Sequence, residues 1–295
     1  MASNGFRSAV DVGEALALLA DLGSDAQVLA GGTDLLVQHN AGAPLAPVLV
    51  HIERVDSIRG VTANGSVSIG ACTTHLDLRT DPEVRARLPA LRDAARTVGG
   101  WQTQAVGTIA GNVCNASPAA DLMPPLLVSD AIVEVARKGE RRSVAIGDFV
   151  VGRRSTVLAD DEMVLGFSAE PVDAGCGEAY VKLGLRSAME VAIAGVAVRL
   201  RFDDHGGVSE ARVAAGAVAP VPYRVGEAER ALVGSHLEAE AVQEAARLVQ
   251  QSASPIDDAR SSAAYRLAAL PAIVERAIAD AATRARRGAG EGVSS

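Results

Sequence analysis

Between residues 11 and 23 the apolar positions Ala15, Leu16, Leu18, Leu19 and Leu22 recur at helical spacing. Asp11 stands where an N-cap belongs, Glu14 follows three residues later and Gly23 closes the run, so the stretch predicts a capped helix. "AQVLAGGTDLLVQ" (26–38) predicts a short strand, a glycine turn at Gly31–Gly32 and a short helix. Runs at 46–52, 67–71, 131–136 and 163–170 predict strands, and 89–98 has helical spacing that ends at Gly99–Gly100. Strands and short helices mixed in this way up to about residue 172 indicate an α+β unit rather than a regular βαβ array. From Gly175 the pattern changes. Residues 178–185, 190–202 and 208–218 predict a three-stranded antiparallel sheet, its last two strands joined by the hairpin turn "DDHGG". Helices follow near 225–233, 237–251 and 259–283, and the glycine- and serine-rich tail 286–295 is expected to be disordered.

Composition narrows the function classes. The chain of 295 residues is 48% hydrophobic with one Trp, three Tyr and four Phe, so its core must be aliphatic. A net charge of −8 argues against a nucleic-acid or anionic-membrane surface, because such surfaces need a basic face. No apolar run approaches the roughly 18 residues of a membrane span, and the first residues lack the basic start and apolar centre of a signal peptide, so a cytoplasmic protein is expected. Cys72, Cys114 and Cys176 form no CxxC pair, and His39, His51, His75, His205 and His236 form no HxxxH or HxH pair. The chain therefore offers no evident metal or iron–sulfur site of its own.

Two glycine-bearing stretches carry the candidate chemistry. In "VLAGGTDLL" (28–36) a strand enters Gly31–Gly32 and leaves through Thr33 into a helix, which points several backbone NH groups at one spot. That is an anion site without cationic side chains, although a plain strand–helix turn reads the same way. Neither G-x-G-x-x-G nor GK[ST] is present, which excludes a Rossmann fingerprint and a P-loop. "GTIAGNVCNASPAAD" (107–121) reads as a poor helix and a poor strand, because glycine, asparagine, serine and proline interrupt it. Gly107, Ala110 and Gly111 let backbone approach a ligand closely, Thr108, Asn112, Asn115 and Ser117 supply neutral donors and acceptors, and Asp121 offers a carboxylate to hydroxyls. Pro118, Pro124 and Pro125 limit the freedom lost on binding. A polar surface loop is the other reading of this stretch.

"LAGGTDLL", "VGTIAGNVCNASPAADLMPPLL", "YVKLGLRSAMEVAIAGVAV" and "SPIDDARSSAAYRLAAL" together resemble the FAD-binding medium subunit of molybdenum hydroxylases, over nearly the whole chain. The resemblance implies a two-part FAD-binding domain of the molybdopterin dehydrogenase type at 1–172, with a small part at about 1–55 and a larger one at about 56–172. A C-terminal α+β domain would span 175–285. It implies that Val28, Leu29, Ala30, Gly31, Gly32, Thr33, Asp34 and Leu35 form one wall of a clasp on the FAD diphosphate. Thr108, Ile109, Ala110, Gly111 and Asn112 would form the other. Asp121 would meet the cofactor's polar chain, and Val98 and Val164 would present apolar surface to it. Lys182, one of two lysines in the chain, would lie beside the isoalloxazine and favour the anionic reduced flavin; a solvated surface lysine is the alternative.

The sequence departs from the family's pattern in places. Ala110 stands where two glycines are common, which requires a negative φ there. "WQTQAVGT" lacks the Arg-Asn often found before the Gly-Thr pair, and the insertion that gives one branch an extra iron–sulfur cluster is missing. The implied function is a non-covalent FAD electron-transfer subunit of a heterotrimeric molybdenum hydroxylase, arranged as a dimer of heterotrimers. Electrons would come from a small [2Fe-2S] partner, originate at a large molybdenum-cofactor partner, and leave to NAD, oxygen or another acceptor. No acid–base or nucleophile constellation is visible, and the cofactor would do the redox chemistry. The rivals are a self-sufficient flavin oxidase and a non-catalytic flavin-binding interaction subunit.

Overall fold

The computed structural model describes residues 5–186 and 188–291. Its first part runs Gly5–Ser8 (β1), Val12–Leu22 (α1), Ala26–Leu29 (β2), Leu35–Asn40 (α2) and Val48–His51 (β3). β3 lies between β1 and β2 and pairs in parallel with both. α1 is capped as its sequence predicts: Asp11 accepts from the Glu14 amide at 2.8 Å, and Glu14 returns the bond to the Val10 amide at 2.9 Å. The C-terminal end of β2 delivers the chain to Gly31–Gly32, the end of a parallel strand where ligands commonly sit.

The second part opens with Val61–Asn64 (β4) and Ser66–Gly70 (β5). A chain of short helices follows: His75–Thr80 (α3), Pro82–Arg87 (α4), Pro89–Thr97 (α5), Trp101–Val106 (α6), Ile109–Cys114 (α7) and Met123–Val128 (α8). Then come Ile132–Arg137 (β6), Glu140–Ala145 (β7), Ile146–Phe149 (α9), the small hairpin Val150–Gly152 (β8) and Ser155–Thr156 (β9), and Met163–Ala169 (β10). The helices stay short because the sequence keeps restarting them. Thr74 and Asp77 form a capping box for α3, Asp81 caps α4, and Pro82 and Pro89 occupy first-turn positions, where a missing NH costs nothing. The sheet has the order β4-β5-β10-β6-β7 and is antiparallel throughout. One apolar cluster runs from Ala9 to Ala169 through both parts, which fold around a common core, and it takes in Tyr180, Ala197 and Ala214 from further along the chain.

The third part contains Cys176–Leu183 (β11), Ala194–Phe202 (β12), Val208–Gly216 (β13), Tyr223–Arg224 (β14), Gly226–Leu232 (α10), Ala239–Ser252 (α11) and Ala263–Glu291 (α12). The expected three-stranded sheet is four-stranded, because two residues after Pro222 pair with Ala214 and Ala215 as a short edge strand. The expected tail is also corrected in part. α12 continues as helix through Glu291, while residues 292–295 lie outside the described residues. This part has its own apolar cluster and is fastened to the second part by arginines. Arg199 donates to the Glu170 and Pro171 carbonyls, Arg212 to the Val128 carbonyl, and Arg224 pairs with Asp130.

α12 lies directly on β11 at Gly177, where an added Cβ would come within 2.2 Å of the Ala281 carbonyl oxygen and 2.4 Å of the Ala285 nitrogen. Neither neighbour is a flexible side chain. Gly177→Ala is expected to cost about 1–3 kcal/mol by forcing helix and sheet apart. Comparing thermal melts of variant and parent checks this; equal midpoints would mean that the helix shifts freely.

Candidate functional site

The two glycine stretches meet back to back. A Cβ added at Gly31 would lie 1.7 Å from the Val106 carbonyl oxygen and 3.1 Å from the Gly107 nitrogen, so only glycine fits there. Gly32 follows with φ +67°, a left-handed conformation that glycine adopts at no steric cost. The first helical bond after this turn runs from the Leu36 amide to the Gly32 carbonyl, at 3.1 Å. Among the described residues, the amides of Gly31, Gly32, Thr33, Asp34 and Leu35 meet no acceptor. A row of neighbouring free amides is an anion nest built from backbone alone.

The second stretch is not the irregular loop that its sequence predicts. Residues Ile109–Cys114 form α7, and tertiary partners explain why. Thr108 caps the helix by accepting from the Gly111 amide at 3.0 Å, the Ile109 amide donates to the Thr73 carbonyl at 3.0 Å, and the Ala110 amide donates to the Ala71 carbonyl at 3.2 Å. The Asn112 amide is bonded to the Thr108 carbonyl. This second wall therefore presents the exposed backbone of Gly111 and the Asn112 side chain rather than free amides. Thr108, Ile109 and Ala110 are buried, and Ala110 is helical, so alanine is accommodated where the family has glycine. Two side-chain atoms in this region are buried without a partner: Asn112 Oδ1 and His75 Nδ1. His75 sits beneath the turn, its own amide donating to the Gly107 carbonyl at 3.0 Å.

A third group comes together beside these walls. Asp121 and Lys182 form a buried ion pair at 2.7 Å, each side chain 7% exposed. Lys182 Nζ also donates to the Thr97 and Glu190 carbonyls, both at 2.9 Å, and the Tyr180 hydroxyl donates to Asp121 at 2.7 Å. Thr97 precedes Val98, so Val98, Asp121 and Lys182 are brought to one place. Lys182 is thus no solvated surface lysine, and its charge is no free charge: Asp121 neutralises it. Burial pushes the Asp121 carboxyl up, and the Lys182 ammonium and the Tyr180 hydroxyl pull it back. Val164 is buried on β10, in the other sheet, beside Leu165, whose carbonyl accepts from the Ala71 amide.

Two features escaped sequence reasoning. Gln104 is buried and donates to the Arg96 and Val98 carbonyls at 3.1 and 3.0 Å, while its oxygen accepts from Arg79 at 3.1 Å. Arg79 in turn stacks over exposed Trp101, 4.7 Å from the ring centroid. Gln104, held by Arg79 from α3, thus lies in the segment that lacks the family's Arg-Asn. The late signature forms one side of a cleft of about 400 Å³ in which all three parts meet at Asp34, Asn115, Arg154 and Asp258. There Arg266 donates to the Ile193 and Ala217 carbonyls and to Asp258, which ties α12 to the ends of the sheet.

Known proteins share the sequence pattern and the fold. Residues 3–168 match the family described as the FAD binding domain in molybdopterin dehydrogenase, and residues 179–281 the CO dehydrogenase flavoprotein C-terminal domain. The chain is 35% identical to the carbon monoxide dehydrogenase medium chain of Hydrogenophaga pseudoflava over 268 residues, covering 90% of this chain and 93% of that one. It is 32% identical to the xanthine dehydrogenase FAD-binding subunit of Escherichia coli O157:H7 over 283 residues, covering 95% and 96%. A solved structure of the Hydrogenophaga pseudoflava carbon monoxide dehydrogenase superposes with a TM-score of 0.91, covering 95% of this chain and 97% of that chain. The chain belongs to the FAD-binding medium subunits of the molybdenum hydroxylases and is a flavoprotein component of an oxidoreductase.

Two predictions follow from the buried groups. Burial holds the His75 imidazole down to about 4, against 6.5 for the free side chain. Because the folded value lies below the unfolded one, this contribution to stability is intact above pH 6.5 and is lost as pH falls towards 4, by about 3 kcal/mol in all. His75→Gln should flatten the stability–pH curve across that window, as urea titrations at several pH values would reveal. Lys182→Met leaves Asp121 buried and unpaired, which costs about 3–5 kcal/mol. Adding Asp121→Asn keeps the acceptor for Tyr180 and should recover part of the loss; a double variant no more stable than the single one would contradict the pairing.

Proposed function

We propose that this chain is the FAD-carrying electron-transfer subunit of a heterotrimeric molybdenum hydroxylase. It would stand between the [2Fe-2S] clusters of a small partner and an external acceptor such as NAD or oxygen, with the molybdenum cofactor on a large partner. The row of free amides from Gly31 to Leu35 is the observation that carries the reading. It offers neutral backbone donors to a diphosphate in a protein of net charge −8. FAD, when bound, supplies the two-electron redox chemistry.

The chain's own residues would bind, orient and shield. Val28 to Leu35 form one wall, and Thr108 to Asn112 the other. Asn112 Oδ1, a buried acceptor in want of a donor, suits a hydroxyl of the cofactor's sugar or ribityl chain. Val98 and Val164 give apolar surface, and the Asp121–Lys182 pair gives a neutral, hydrogen-bonded floor beside it. No helix among the described residues is long and apolar enough to cross a membrane. A cytoplasmic dimer of heterotrimers is the assembly that the reading implies.

Nothing in the chain resembles a flavin tether, so the cofactor should be held without a covalent bond. Purified protein, alone or with its partners, should be yellow, and acid precipitation should leave the colour in the supernatant as FAD. Flavin retained by the washed pellet would refute non-covalent binding. A complex active in substrate oxidation yet free of flavin would refute the electron-transfer role.

A further inference from the structure

Helix α2 leaves the first glycine turn and α7 leaves the second. At the turns the two are in van der Waals contact through Gly31 and the Val106–Gly107 peptide. A single contact of that kind fixes where the two elements touch but not the angle between them. A second tie lies further along, between residues 77 positions apart in sequence: Gln38 on α2 donates from Nε2 to Asn115 Oδ1, just past the end of α7, at 3.0 Å. Arg154 closes the arrangement from the β8–β9 hairpin. Its Nη1 donates to the same Asn115 Oδ1 and, at 3.2 Å, to the Asn115 carbonyl, while its backbone amide donates to the Ala116 carbonyl at 2.9 Å. Both Arg154 (φ +61°) and Ala116 (φ +44°) hold left-handed conformations that disfavour a side chain, so the hairpin tip and the chain after α7 are held where they are by these bonds.

We propose that Asn115 is a positioning residue that sets the separation and angle of the two glycine turns, with Gln38 and Arg154 as its two arms. Asn115 binds no cofactor in this role. It keeps the amide row of the first turn facing the Gly111–Asn112 surface of the second before any ligand arrives. The inference rests on the reading that FAD is clasped between those two walls. With the tie cut, only part of the population holds both walls at the binding distance, and apparent affinity falls in proportion to that fraction.

The test uses full-length Gln38→Leu, Asn115→Leu and the double variant Asp34→Asn with Asn115→Asp, with the FAD dissociation constant measured by fluorescence quenching. Two hydrogen bonds to the arms are lost in Asn115→Leu and one in Gln38→Leu, so FAD binding should weaken by about tenfold in the first and less in the second. Asn115 also hydrogen-bonds the Asp34 carboxyl, so exchanging the two by Asp34→Asn with Asn115→Asp keeps that bond and an oxygen that accepts from both arms. This double variant should bind FAD nearly as the parent does, a rescue that a merely space-filling role would not give. Amide exchange at residues 31–37 of the apo protein should be faster in both leucine variants than in the parent. Leucine variants with parental FAD affinity and parental exchange overturn the inference. A folded double variant as weak as the leucine one overturns it too. A parent that binds no FAD overturns the functional reading instead, and the exchange measurement then decides the inference alone.

Discussion

The ammonium of Lys182 has three protons, and each has an acceptor: Asp121 Oδ2, the Thr97 carbonyl and the Glu190 carbonyl. Those acceptors come from the loop after α7, the end of α5 and the segment between β11 and β12. One side chain therefore holds together the helical belt of the second part and the sheet of the third. Removing an ion from water is expensive and is offset only when its hydrogen-bonding capacity is filled, as it is here. Tyr180 completes the arrangement from the next inward position on the same strand. The place beside Val98 is thus closed, neutral and rigid, and its order does not depend on solvent.

The junction between the second and third parts follows the same rule on a larger scale. Each has an apolar cluster, and the third part lends Tyr180, Ala197 and Ala214 to that of the second. Arginines add the polar ties. Arg199, its side chain 1% exposed, pairs with Glu178 at 2.8 Å while reaching the Glu170 and Pro171 carbonyls. Arg284 on α12 reaches Asp93 on α5 and the Glu178 carbonyl of the edge strand β11. A planar, permanently charged fork spreads five donors over three nitrogens, where a lysine has three donors on one atom, and the sequence contains arginine almost to the exclusion of lysine.

Much of this was legible from residues in a row. Alternating or continuous apolar runs located β5, β6, β10 and the strands of the C-terminal sheet within a few residues, and Asp11 with Glu14 marked the start of α1. What the sequence concealed depends on partners far along the chain. α7 is helical because Thr73 and Ala71 accept its first amides and Thr108 caps it, although glycine and asparagine are weak helix formers. β14 is two residues long and exists only because β13 offers an edge. Gln104 and Asn115 read as ordinary polar residues, since no local pattern announces a buried amide that bridges three segments. Resemblance to a family supplied what periodicity could not, namely which two glycine turns should face one another.

Helix α6 lies between Gly100 and Gly107, the segment that links the neighbourhood of Val98 to the second glycine turn. It carries the chain's single tryptophan, Trp101, half in solvent and covered on one face by the Arg79 guanidinium. Excited at wavelengths that its three tyrosines do not absorb, a protein with one indole has one emitter. Its ultraviolet fluorescence is therefore the signal of a single helix rather than an average over the molecule, and that helix borders the region assigned to a chromophore that absorbs where indoles emit. Nature has left the protein with its own donor for energy transfer, already installed and needing no label.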